Sequence, residues 1–313
     1  MTTLQLSYIV AVAEEHSVSK AAEKLHVAQP SLSRLITSIE SKYSIKLFRR
    51  SEQKLVLTQA GKIFVDNAQQ ILNLNRNFEN VLQDLGNTQF GKLAFGCSSN
   101  HIGYLLSPFL KEISEMYPNW EISVFDDNFA VLFSQLKLGK LDLIYSHMSE
   151  IQEKDSSLEY YPITKEELLL AVPLEHPFAE RAIGIDKWGD RQPIQPEEIA
   201  REPFIQLKPA HSTRILTDQI FSSHKIKPNV RFEVSSNAVA HKLTSAGLGI
   251  SILPESELRF NPTSPPCVYF PIAERKYTRQ IYLCYSKSYY QTTIIEKSVE
   301  IISRITNDLF EKR

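Results

Sequence analysis

Over residues 1–57 apolar positions recur at helical spacing in short bursts, which predicts short helices joined by tight turns. Leu6, Ile9, Val10 and Ala13 share one face, and Ser17 or Ser19 can cap a second helix carrying Ala21, Ala22 and Leu25. His26, Val27 and Ala28 form a connector before a third helix that starts near Gln29 and Pro30. Proline suits a first helical turn, because its missing N–H would be unpaired there anyway. In this third helix Leu32, Leu35, Ile36, Ile39 and Tyr43 fall on one face, and Gln29, Ser31, Ser33, Arg34, Thr37 and Ser38 on the other. A solvated face is usually rich in Glu and Lys, whereas this one has short side chains and one arginine, as if made for close approach. Small Ala21 and Ala22 allow the tight crossing of a helix-turn-helix. By pattern alone, a DNA-reading helix and an ordinary helical bundle both account for the segment.

Thr58 then caps a long helix, predicted from Gln59 to Leu85 before Gly86. Phe64, Ala68, Ile71, Asn75, Phe78, Leu82 and Leu85 are spaced 4, 3, 4, 3, 4, 3, a heptad seam with Asn75 at an a position. A helix of that length spans ~40 Å and cannot bury such a stripe alone. Self-association and packing on its own domain are the two ways to cover it. A buried asparagine would fix the pairing register at some cost in stability.

From Gly91 onward strand-like and helix-like runs alternate. The strands are LAFGC (93–97), EISVF (121–125), LDLIY (141–145), LEYYPI (158–163), ELLLAV (167–172), FIQL (204–207), VRFEV (230–234), GISIL (249–253) and QIYLCY (280–285). Helices are expected over 101–117, 129–139, 213–224, 237–246 and 289–311. This alternation predicts mostly parallel sheets with helices on both faces. Proline and charge punctuation near 162–166 and 262–271 splits the region into two lobes, which the chain crosses between twice.

Composition narrows the class. The chain's 313 residues are 42% hydrophobic and 23% charged, ordinary for a folded protein of two or more domains. Cys97, Cys267 and Cys284 are few, odd in number and without metal-ligand spacing, so neither a disulfide scaffold nor a zinc site is expected. Cys97 and Cys284 sit in strand patterns and read as buried packing. The opening MTTLQLSYIVAVAEEH lacks a basic n-region, and no run reaches the ~18 apolar residues of a membrane span. A reduced, cytoplasmic protein is therefore expected. No full phosphate loop, HExxH, GxSxG or CxxC is present, and Gly247-Leu248-Gly249 reads as a helix stop. Nothing calls for a cofactor or a metal.

A binding cleft is better supported. Ser98, Ser99, Asn100 and His101 follow the first strand, and Asp127 and Asn128 the second. His211, Ser212, Thr213 and Arg214 follow FIQL, and Ser235, Ser236 and Asn237 follow VRFEV. Short hydrogen-bonding side chains that open helices at strand ends attract anions through free N–H groups and the helix dipole. Ordinary N-capping explains any one such cluster, but less readily four at corresponding ends.

The run AVAEEHSVSKAAEKLHVAQPSLSRLITSIESKYSIKLFRR, with LTQAG after it, resembles the winged helix-turn-helix of LysR-type transcriptional regulators. GLGISILP and LKLGKLDLIY extend the resemblance to the effector half. It implies an α + α/β chain with three parts: a winged helix-turn-helix (1–58), a linker and dimerisation helix (59–89), and a two-lobed α/β effector domain (90–313). Lobe I would hold 90–164 and 270–313, and lobe II 165–269; the domain is similar to type 2 periplasmic binding proteins. The resemblance implies that the helix from Gln29 and Pro30 enters the major groove. Gln29 and Arg34 would meet base edges, Ser31 and Ser33 bases or phosphates, and Arg49 and Arg50 phosphates. The wing tip, Ser51-Glu52-Gln53-Lys54, is less basic than in many relatives and leaves Lys54 as its reaching cation. The heptad positions would form a homodimer, with a homotetramer as a pair of dimers. A small anionic effector, often a carboxylate in this family, would meet Ser98, Ser99, Asn100, Asn128, His211, Ser212, Thr213 and Asn237. These are neutral donors more than cations, as suits an anion held by N–H groups. The expected function is a DNA-binding regulator that answers to that effector. A solute-binding protein or a small-molecule enzyme on the same two-lobed scaffold is the alternative. Export signal and catalytic constellation are both missing from the sequence.

Charge is unevenly distributed along the chain. The whole sums to −1, with no basic signature. Residues 1–60 nevertheless hold eight Lys and Arg against five Asp and Glu, so the modest basic excess lies in the segment assigned to DNA.

Overall fold

A computed structural model describes residues 1–51, 54–86, 90–98, 102–148, 154–209, 211–273, 277–287 and 292–311. Helices α1 (Thr3–Glu15), α2 (Val18–Lys24) and α3 (Gln29–Tyr43) precede a hairpin of β1 (Phe48–Ser51) and β2 (Lys54–Leu57). Thr2 and Gln5 form a reciprocal capping box at α1, and Ser17 caps α2. Ala21 and Ala22 are buried with Ile9, Val12, Leu32 and Ile36, so small side chains do permit the close α2–α3 crossing. Tyr43, expected on the apolar face, is instead 48% exposed. It lies in the last turn of α3, outside that apolar cluster, with the Lys42 ammonium 5.4 Å from its ring.

A buried carboxylate fixes the α3–hairpin junction. Glu40 Oε1 accepts from the amides of Leu47 (2.9 Å) and Phe48 (3.3 Å), and Oε2 meets Lys46 Nζ at 2.6 Å. Burial disfavours the charge, but the bonds from Lys46, Leu47 and Phe48 prevail and hold this carboxyl below its ordinary value.

Thr58 caps α4 (Gln59–Leu85) by accepting from Gly61 N at 2.9 Å. The seam on α4 divides in two. Ala68 is buried and Phe64 half-buried against Leu6 and Val10 of α1, so the first two positions pack inside their own unit. Ile71, Phe78, Leu82 and Leu85 are 47%, 59%, 52% and 70% exposed, and Leu74 joins them at 58%. Asn75 is half-buried and donates to Glu79 Oε1 of the same helix at 2.8 Å. Other contacts dock α4 on the first lobe: Arg76 Nη2 donates to Asp142 Oδ1 (2.7 Å) and to the Gly139 carbonyl (2.8 Å).

The first lobe contains β3 (Gly91–Cys97), a widened helical turn at Ile102–Leu106 leading into α5 (Ser107–Met116), β4 (Trp120–Asp126), α6 (Phe129–Lys137) and β5 (Leu143–Met148). β6 (Leu158–Pro173) carries the chain into the second lobe. There lie β7 (Pro203–Leu207), α7 (Ser212–Ser223), β8 (Asn229–Val234), α8 (Asn237–Ser245), β9 (Ser251–Pro254), α9 (Glu255–Phe260) and β10 (Cys267–Phe270). β11 (Thr278–Ser286) returns to the first lobe, and α10 (Thr293–Glu311) packs beside α5.

The sheets are mixed, not mostly parallel. β3 pairs parallel with β4 and β5, and β7 with β8, whereas β6, β9, β10 and β11 run antiparallel to their partners. One strand leaves the first lobe and another returns, so the two must oppose each other. The runs LEYYPI and ELLLAV, expected as separate strands, are one: β6 passes through Pro162 without a break. At Pro162 the strand has β11 on one side and no second neighbour among the described residues, an edge position where proline is tolerated. Its partner changes from β11 to β9 between Glu167 and Leu168. Leu93, Phe95, Phe109 and Ile281 centre one core; Leu170, Phe204, Ile220 and Phe270 centre the other. Each such side chain contributes about 1.5–3 kcal/mol on burial.

Candidate functional site

Two surfaces concentrate the polar residues singled out in the sequence. The first is the outer face of α3. Gln29, Pro30, Ser31 and Arg34 are exposed and Ser33 is half-buried. Gln29 Nε2 donates to Ser33 Oγ (3.2 Å), and Arg34 Nε is tethered to the Pro30 carbonyl (3.4 Å), so both long side chains are braced along the helix. Arg49 and Arg50 are exposed on β1, opposite Val56 and Leu55, and Lys54 is exposed where β2 begins. The wing-tip residues Glu52 and Gln53 lie outside the described residues.

The second surface is a cleft of about 580 Å³ between the lobes, where strand ends and helix starts converge. Ser98, Asn128, His211, Ser212, Thr213 and Asn237 all line it; Ser99 and Asn100 lie outside the described residues. Their roles differ. Asn128 is occupied in capping α6, accepting from Val131 N at 3.2 Å. His211 stands at the N-terminus of α7, beside the cleft, and its side chain does not cap the first amides of that helix. Asn237 is 7% exposed, and its Oδ1 is buried with no hydrogen-bond partner among the described residues.

The floor of the cleft holds a cation absent from the sequence expectation. Arg279, 3% exposed, donates from Nε to Glu166 Oε1 (2.6 Å) and from Nη1 to Ser212 Oγ (2.8 Å) and Thr213 Oγ1 (3.3 Å). His147 Nε2 lies 2.9 Å from the same Glu166 oxygen, and Glu166 Oε2 accepts from Ser256 N at 3.3 Å. Burial opposes ionisation of Glu166, but the adjoining guanidinium overrides it and holds the carboxyl well below its usual range. Burial and Arg279 together push His147 and His211 below the ordinary histidine value, so both are neutral near pH 7. To the expected neutral donors the structure adds charged groups: a buried guanidinium and Lys208 line the pocket, with Asp126 and Asp127 in the same cavity. One signal in the sequence points there. Glu166 and Arg279 each stand immediately before a predicted strand, Glu166 within the expected crossing at 162–166 and Arg279 beyond the one expected at 262–271.

The three cysteines are buried. Burial pushes the Cys97 thiol up to about 12, Cys267 to about 11, and Cys284 well above its ordinary value. Such thiols are poor nucleophiles.

Family comparison places both surfaces in one frame. Residues 4–62 match the model of the bacterial regulatory helix-turn-helix protein, lysR family, and residues 86–304 match the LysR substrate binding domain. The chain belongs to the LysR family of transcriptional regulators. Among its relatives is the uncharacterised HTH-type transcriptional regulator YybE of Bacillus subtilis (strain 168), 31% identical over 80% of this chain and 82% of that protein. The fold superposes on a full-length OxyR variant from Pseudomonas aeruginosa with a TM-score of 0.71 at 22% identity, covering 98% of this chain and 95% of that one. It also superposes on full-length CbnR complexed with its target DNA, with a TM-score of 0.64 at 23% identity over 97% of this chain and 100% of that one. This LysR-family chain is therefore a DNA-binding transcriptional regulator with an effector-binding domain, not an enzyme. The solute-binding and enzyme alternatives have no support. Among the described residues no helix is long and apolar enough to cross a membrane.

Proposed function

We propose that this LysR-family regulator acts in the cytoplasm as a homodimer, or a homotetramer built from two dimers. Residues 1–58 read operator DNA, 59–89 join the subunits, and 90–313 sense a small molecule carrying a carboxylate. Gln29 and Arg34 meet base edges in the major groove, Ser31 and Ser33 meet bases or phosphates, and Pro30 opens the helix that presents them. Arg49, Arg50 and Lys54 hold phosphates. The exposed run Ile71, Leu74, Phe78, Leu82 and Leu85 on α4 supplies the dimer contact.

The observation that carries the sensing half is the buried Arg279 at the floor of the interlobe cleft, beside the start of α7. Arg279 and its partner Glu166 sit on the two strands that join the lobes, so a carboxylate arriving at Arg279 acts on the hinge itself. Ligand then favours one arrangement of the lobes, which alters subunit geometry and the spacing or bend of bound DNA.

The DNA half is tested by fluorescence anisotropy on a duplex selected from a random pool by the full chain. Arg34→Ala should cost about 1–3 kcal/mol on the selected duplex and relax its sequence preference. Arg49→Ala should weaken selected and scrambled duplexes alike and reduce the salt slope by about 1. Equal effects of the two substitutions on both duplexes would remove the assignment of Arg34 to base readout.

A further inference from the structure

The cleft's charge balance is not that of an anion trap. Lys208 and Arg279 supply its cations, while Asp126 and Asp127 line the same cavity and Glu166 is bound to Arg279. Among the described residues, two positive groups therefore stand against three carboxylates. A ligand with only negative charge would add to an existing negative excess.

The hydrogen-bonding inventory points the same way. At one pole the Arg279 guanidinium, the Ser212 and Thr213 hydroxyls and the uncapped amides of α7 are donors, suited to a carboxylate. Elsewhere in the cavity, alongside the Lys208 ammonium and serine hydroxyls, two acceptors stand without a partner among the described residues. Asp126, at the end of β4, has an exposed carboxylate that makes no hydrogen bond or ion pair with the described residues. The Asn237 carboxamide oxygen is buried and unsatisfied, a state that costs free energy unless a donor arrives. Asp127, by contrast, is occupied by the backbone amide and side chain of Asn128.

We propose that the effector is a zwitterion of the amino-acid class, with its carboxylate at Arg279 and the start of α7, and its ammonium on Asp126, with the Asn237 carboxamide oxygen as a further acceptor. This rests on the interlobe cleft being the effector site. It deepens that assignment by requiring both a cationic donor group and a carboxylate on one small molecule. A neutral bound pair adds no net charge to the cleft, and each acceptor left open by the protein gains a donor.

The test uses the full chain and three matched sets of probes: the standard L-amino acids, their 2-hydroxy acid counterparts lacking the ammonium, and their decarboxylated amines. Thermal stabilisation followed by calorimetric titration reads binding. At least one amino acid should bind, with its hydroxy acid and its amine each weaker by ~10-fold or more, the scale of one charge-assisted hydrogen bond. Asp126→Asn, an exposed substitution that keeps the side-chain shape, should weaken the amino acid ~10-fold and leave the hydroxy acid unchanged. A hydroxy acid that binds as tightly as its amino acid, or a set in which no amino acid binds, overturns the zwitterion. Hydroxy-acid binding that is lost in Arg279→Gln would leave the cleft assignment standing while the zwitterion falls. Binding indifferent to both Arg279→Gln and Asp126→Asn would remove the cleft assignment as well. Should Arg279→Gln fail to fold, the paired Glu166→Gln/Arg279→Gln variant serves in its place.

Discussion

Arg279 and Glu166 face each other in register on the two strands that connect the lobes, with Arg279 Nε 2.6 Å from Glu166 Oε1 and both side chains buried. A buried ion pair of this kind is weak evidence for stability, since desolvation offsets much of its attraction, but breaking it leaves a lone buried charge. Arg279→Gln should therefore cost about 3–5 kcal/mol, read as a lower urea midpoint of the full chain. Glu166→Gln/Arg279→Gln should recover most of that loss. A double variant no more stable than the single one would contradict the pairing.

The same cluster sets a pH dependence. The folded His147 titrates below its ordinary value of 6.5, so as pH falls through 6.5 the unfolded chain takes up a proton that the folded chain refuses. Stability is thus highest above pH 6.5 and declines below it, by up to about 1.4 kcal/mol per pH unit for each such histidine. Glu166 adds a second loss on the acid side of its ordinary value of 4.5, as pH falls towards its depressed folded value. Unfolding measured from pH 7.5 to 5 should show a shallower slope in His147→Gln than in the parent chain. Identical slopes would show that His147 titrates alike in the folded and unfolded states, against the depressed value.

At the junction of α4 with the hairpin, a Cβ added to Gly61 would lie 1.9 Å from the Leu47 carbonyl oxygen. Backbone cannot yield as a flexible side chain can, so Gly61→Ala should destabilise the DNA-reading unit by about 1–3 kcal/mol. Duplex affinity should fall while ligand binding in the cleft is retained. Thermal unfolding and anisotropy on the same variant check both halves of that outcome.

The exposed apolar run on α4 makes the oligomer prediction. Ile71→Glu with Phe78→Glu should shift the sedimentation distribution toward the monomer, because each apolar side chain of that size contributes about 1.5–3 kcal/mol when covered. Among the described residues, Asn75→Leu breaks the single side-chain bond to Glu79 within the same helix. If Asn75 sets pairing register, that variant should redistribute oligomers rather than dissolve them. A double variant that sediments as the parent does would exclude this stripe as the subunit contact.

The legible parts of this molecule follow from periodicity. The α3 face could be read because 3.6-residue spacing separates Leu32, Ile36 and Ile39 from Gln29, Ser31 and Arg34, and the structure buries the first set and exposes the second. The strand-end clusters were legible because helix starts demand capping residues, and six of the eight expected positions do line the cleft. Arg279, Glu166 and His147 were not legible as a group. Strand register brings Arg279 to Glu166 across more than a hundred residues of chain, a pairing that no local pattern encodes. The split of the α4 seam was hidden for a related reason. Phe64 and Ala68 carry the same heptad signal as Phe78 and Leu82, and only the placement of α1 separates them.

Coupling between the cleft and DNA is measured most directly by titrating the selected duplex with the full chain, with and without a saturating cleft ligand, tracking affinity and fluorescence-reported bend together. Ligand should change one or both in the parent chain and leave Glu166→Gln/Arg279→Gln unmoved. Affinity and bend that stay the same for every ligand bound in the cleft would contradict the switch.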